Sequence, residues 1–157
     1  MSFDVFLQRF ERGHAAEVQR RPVHAVLRRT LHQGSDQFGF YIVSFADGTD
    51  VEFSASGLES GEPFTGCAFH IRAFGDGLMT FMLQVACAGD MVMMPAMEGN
   101  PLILVSEAQR AHLPAELVEA FRLVLVQSPA ELTALLTGGF ASWSAYRDQV
   151  VRRNDGV

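Results

Sequence analysis

A chain of 157 residues, 48% apolar and 10% aromatic, has the volume for one good core and the composition of a packed globule. Its net charge is −6, and all twelve cationic side chains are Arg, so a Walker phosphate loop, a Schiff-base lysine and any depressed-pKa amine are excluded. The charge is uneven: residues 1–33 hold six Arg against three acids, residues 34–131 three against thirteen, and residues 132–157 three against two, a pattern opposed to the basic stripe of a nucleic-acid footprint.

In chain order, FDVFLQRF (3–10) alternates loosely and reads as a first strand, broken at Gly13 and His14. Pro22 suits a first helical turn. Val23, Val26, Leu27, Thr30 and Leu31 follow at helical spacing as one buried stripe, and Gly34 ends that helix. His24, Arg28 and His32 line another face, which reads as solvated or as a contact for an anionic surface. FGFYIVSF (38–45) and TDVEFSA (49–55) flank Asp47-Gly48, the signal for a hairpin with a type I′ turn. SASGLESGEPFTG (54–66) reads as a mobile acidic surface loop, and CAFHIRAF (67–74) resumes as a strand.

The stretch FGDGLMTFMLQVACAGDMVMMP (74–95) holds the chain's most chemical-looking pattern. Asp76 reads as an N-cap, Leu78 to Ala88 as a helix apolar on most of its circumference, Gly89 as a left-handed stop, and MVMM as a strand covered on both faces. Strand, helix and strand over residues 67–95 form a βαβ-like unit. As a phosphate loop, Gly75-Asp76-Gly77 lacks both the third glycine of the dinucleotide fingerprint and any lysine. As a soft-metal site, the methionines lack repeated ligand spacing, and core packing is the stronger reading.

EGNP (98–101) is a turn, LILV (102–105) a buried strand, and Ser106 with Gln109 a capping box. AELVEAF follows Pro114 as a helical turn, and RLVLV (122–126) is a last strand. Ser128-Pro129-Ala130-Glu131 starts a helix that stops at Gly138-Gly139, and a final amphipathic helix carries Phe140, Trp143, Tyr146 and Val150 inward. The expected fold is one α+β domain over residues 1–157. Its mixed, mostly antiparallel sheet has about six strands, with about four helices on one face.

Among polar candidates, His70 and Arg72 share one face of a strand, with Asp76 at the next helix start and Glu98 and Asn100 in a later loop. They form either a small polar pocket or a solvated sheet face with ordinary turn formers. Cys67-x-x-His70 lacks a second ligand pair and would straddle the strand, so no metal site is expected and both cysteines read as structural thiols. No nucleophile elbow is present, and no cofactor is implied.

The segments MSFDVFLQ, GDMVMMPAMEGNPLILVS, QRAHLPAEL and GFASWSAYRDQV resemble a group of small bacterial proteins that begin Met-Ser-Phe-Asp. The resemblance spans nearly the whole chain in patches, implies a small cytoplasmic bacterial protein, and carries no activity or functional residue with it. With no cationic leader and no apolar run near the ~18 residues of a membrane span, the cytoplasm is the expected compartment. The leading functional expectation is a non-enzymatic binding or interaction protein of accessory or immunity type, with a protein partner or a homodimer and without nucleic acid or membrane. The second is a small enzyme or ligand-binding domain built on His70, Arg72, Asp76 and Glu98.

Overall fold

The computed structural model describes residues 3–34, 39–138 and 148. Among the described residues there are ten strands: β1 (Phe3–Gln8), β2 (Phe10–Glu11), β3 (His14–Ala15), β4 (Leu31–Gln33), β5 (Phe40–Ser44), β6 (Asp50–Ser54), β7 (Gly66–Ile71), β8 (Val92–Pro95), β9 (Pro101–Leu104) and β10 (Arg122–Leu125). Helices are α1 (Arg20–Arg28), α2 (Asp76–Gly89), a 3-10 segment (Glu107–His112), α3 (Ala115–Ala120) and a further helix over residues 129–138, called α4. Eight strands form one sheet in the order β10-β9-β8-β1-β7-β6-β5-β4, and β2 pairs with β3 apart from it. The α+β class and the mostly antiparallel sheet agree with expectation, but the sheet has eight strands rather than about six.

The βαβ-like unit has an unexpected form. Strands β7 and β8 both run antiparallel to β1, which lies between them, so they are parallel to each other but one strand apart. The directly parallel pair is β9 with β10, joined by the 3-10 segment and α3.

That second crossover places structure on both faces. The inner face carries Val5, Phe53, Phe69 and Met93 against α1, α2 and the Leu132, Leu135 and Leu136 row of α4. On the other face, over β8 to β10 alone, Val92, Leu102 and Leu104 pack with Leu113 and Phe121 in a smaller cluster. Helical cover is therefore not confined to one face.

Several boundaries moved. Helix α1 ends at Arg28, and Leu31 belongs to the short edge strand β4, where it is 78% exposed. Propensity alone could not separate a fourth helical turn from a strand that pairs with β5. In the β5–β6 hairpin only Gly48 has positive φ (+89°), so the turn is not type I′, which needs two such residues. Instead Phe45 N–H donates to the Thr49 carbonyl at 2.9 Å across a three-residue turn. The left-handed stop after α2 is Asp90 (φ 53°), one residue beyond Gly89. The expected loop over 54–66 is tethered: Leu58 and Phe64 are buried, and Arg20 Nε donates to the Gly57 carbonyl at 2.8 Å. Of the expected helix after residue 139, only residue 148, which is helical, lies among the described residues.

Gly75-Asp76-Gly77 has a structural explanation. The N-cap of α2 is Gly75, not Asp76, and no side chain of its own segment caps the helix. A carboxylate from the β5–β6 turn, that of Asp47, lies against this helix start instead. The Asp47 carboxylate accepts from the Thr49 hydroxyl at 2.6 Å and the Thr49 N–H at 3.0 Å, and the nearby Gly77 N–H also favours its charged form. A Cβ on Gly75 would lie 2.5 Å from Asp47 Oδ2, and one on Gly77 would lie 3.0 Å from the Phe45 side chain. The two glycines let the hairpin turn close onto the helix start. The negative charge at the positive end of α2 is thus supplied by the protein itself.

The Thr49 hydroxyl, then the Thr49 and Gly77 N–H groups, hold the Asp47 carboxyl below its ordinary value of 3.8. A lowered carboxyl contributes stability above its ordinary value and loses it as pH falls through the lowered one. We predict that Asp47→Ala lowers the melting temperature at pH 7 more than Asp76→Ala does, and that the gap closes in strong acid. Equal melting temperatures at pH 7 would refute this role of Asp47 at the helix start.

Candidate functional site

Alternation along β1, β7, β6 and β5 sends one set of side chains into the inner core and the other to the opposite, outer face. Cross-strand register then fixes which outer residues meet. Asp4 lies opposite His70, His70 opposite Glu52, Glu52 opposite Ile42, and Ile42 opposite Gln33. A single row thus crosses five strands. Asp4 Oδ1 lies 2.9 Å from His70 Nδ1, which sets the orientation of the imidazole. Both side chains are part-exposed, at 39% and 30%.

His70 and Arg72 share this face, as their spacing predicts, and line a cleft of about 120 Å³ with Ile42, Asp50, Val51 and Glu52. The other candidates lie elsewhere. Asp76 is the exposed first residue of α2, and Glu98 is exposed in the turn after β8; neither lines the cleft. Asn100 adopts φ 44°, and its carbonyl accepts from Arg122 N–H at 2.9 Å, so it shapes the turn into β9.

Asp4 is the residue that sequence reading missed. It stands 66 positions from His70, and only the pairing of β1 with β7 brings the two together. The faint signal was its place in an apolar alternation, at a position facing outward. Gln109 was half seen: the capping box with Ser106 forms as expected. Gln109 is also buried, its Oε1 accepting from Val105 N–H at 2.8 Å and its Nε2 donating to Asp90 at 3.2 Å.

The cysteines point away from this face and from each other's chemistry. Cys67 is buried in the inner core, and desolvation pushes its thiol far up. Cys87 is exposed on α2, and its thiol is raised by partial burial and then by the Asp90 charge. Among the described residues no group of three or more His, Cys, Asp or Glu could hold a metal ion. Comparison with protein-family models, curated proteins and solved structures returned no significant match. No helix among the described residues is long and apolar enough to cross a membrane.

Raised thiols react slowly because only the thiolate is nucleophilic. Iodoacetamide should label Cys87 in the native protein, more slowly than a free cysteine at pH 7 and faster as pH rises. Asp90→Asn should accelerate it, and Cys67 should label only on unfolding. Native labelling of Cys67 at the Cys87 rate, read by mass spectrometry, would contradict this arrangement.

Proposed function

We propose that this is a non-enzymatic binding protein whose outer sheet face, from β1 to β4, receives a protein partner. One observation carries the reading. The outer face is covered by the Leu113 cluster over β8 to β10, yet from β1 onward it exposes Phe6, Ile42 and Leu31 among the described residues. Leu31 and Ile42 are diagonal neighbours on the paired strands β4 and β5 of this face, and adjoining exposed apolar side chains rimmed by polar groups are a common mark of interaction surfaces. The face around them carries three carboxylates, Asp4, Asp50 and Glu52, beside the Arg72 guanidinium and the His70 imidazole. The partner that complements it has an apolar centre with basic side chains around it. This is the accessory or immunity type of protein, and a cytoplasmic setting suits it.

The Asp4–His70 pair supports a second reading, a small enzyme or ligand-binding domain, because an oriented imidazole is a common acid–base element. Against it stands the cleft of about 120 Å³. Small-molecule sites are usually roughly 300–1,000 Å³.

The deciding experiment uses the full chain as bait in lysate of its native host, beside Ile42→Arg and Glu52→Arg variants and an Arg110→Ala control. A stoichiometric protein should be held by wild type and control and released by both face variants. Retention by the face variants, or the absence of any stoichiometric partner across conditions, would reject the proposal. Light scattering on the bait reveals whether the partner is a second copy.

A further inference from the structure

A cleft of about 440 Å³ lies on the inner-face side of the sheet, beside α1 and away from the proposed partner face. Arg20, Arg21, His24, Ala25, Arg28 and Leu58 line it. In a chain of net charge −6, it gathers three guanidinium groups and an imidazole around one opening.

The wall opposite α1 is held in place. Arg20 donates from Nε to the Gly57 carbonyl at 2.8 Å and from Nη2 to the Glu62 carbonyl. His24 Nε2 lies 3.0 Å from Glu59 Oε1, and Tyr41 donates its hydroxyl to Glu59 Oε2 at 2.8 Å. Glu59 is thus engaged by His24 and Tyr41, and it is the one carboxylate that these contacts bring to the cleft residues. Among the described residues, neither Arg21 nor Arg28 takes an ion-pair partner.

This arrangement runs against local stability. Arg20 and Arg21 occupy the first turn of α1, which contains no acidic residue, and Gln19 supplies no side-chain cap. Cations at the positive end of a helix are unfavourable, and Asp or Glu would serve better there. Arg28, in the last turn, suits the negative end and needs no ligand to explain it. The Arg20 contacts to the loop account for one of the first-turn cations, while Arg21 has no such structural return. Positions that break a local rule in this way are expected at functional or strained sites.

We propose that this cleft is a binding site for a phosphate group, carried as free phosphate or as the monoester of a small organic molecule. Two guanidinium groups without an ion-pair partner among the described residues, in one cleft, call for concentrated negative charge. A phosphate monoester carries about −1.5 to −2 near pH 7, and Arg binds it through parallel N–H donors. The side chains of Arg21 and Arg28 start seven residues apart, about 10.5 Å along the helix axis, within reach of one group from either end. Ala25 and Leu58 between them offer an apolar floor for an organic body.

The test is a titration of the full chain, followed by backbone amide shifts in NMR, with inorganic phosphate, with adenosine monophosphate and with acetate as the monoanion control. Phosphate should shift amides over residues 20–28 and 57–62, and an Arg21→Ala/Arg28→Ala variant should bind at least about tenfold more weakly, as expected for losing charged hydrogen bonds. Tighter binding of the monoester assigns an organic ligand, and equal binding assigns free phosphate. Shifts absent from that region, acetate binding as tightly as phosphate, or undiminished binding in a variant with native circular dichroism would overturn the proposal. Because the lining residues are surface side chains, Arg21→Gln/Arg28→Gln gives a second variant should the alanine form fail to fold. Partner capture by the sheet face is read separately, so either idea can fail alone.

Discussion

Phe53 and Phe69 stack across β6 and β7 with centroids 5.0 Å apart, and Phe81 of α2 meets both edge-on at 5.7 Å. Phe45 adds a fourth ring against Phe81 at 5.8 Å. Edge-to-face and offset pairs are favourable beyond the area they bury. Through this contact the helix reads the sheet. It fixes which faces of β6 and β7 turn inward, and so it determines that His70, Glu52 and Arg72 turn outward. The outer row exists because the inner row is committed to Phe81 and its neighbours.

The same commitment explains the methionine-rich run. Met79, Met82, Met91 and Met93 are fully buried, filling space between α2, the sheet and α1. An unbranched thioether adapts to the irregular gaps left by stacked rings. What looked like chemistry in that run is packing, and the Gly-Asp-Gly step before it is the close approach of a hairpin turn bearing its own carboxylate. Polar chemistry lies where the core does not need the side chain: on the outer face and along the exposed side of α1.

Sequence reading did well wherever a signal was local and periodic. The β5–β6 hairpin, the strand ending in His70 and Arg72, the nearly all-apolar α2 and the Ser106–Gln109 cap were legible because spacing carries them. It failed where a distant partner decides. Leu31 fits a helical stripe, yet pairing with Ser44 makes it part of a strand. Asp47 lies against the start of a helix that begins 29 positions later, as residues 47 and 76 show. Asp4 reaches His70 across two neighbouring strands whose pairing no spacing rule reveals. Of the candidate residues, His70 and Arg72 share a cleft because a period of two is enough to place them on one face. Asp76 was joined to them as the residue that opens the next helix, and Glu98 as a loop residue, and neither reason places a side chain in the cleft.

The account stands on α2 as the organiser of the inner core, and the most direct measurement is the unfolding free energy of Phe81→Ala in urea. Removing a buried ring that contacts three others should cost about 3–5 kcal/mol, with no change in the row of outer-face residues other than through global unfolding. A loss below about 1 kcal/mol, the range of ordinary surface changes and small repacking, would contradict it.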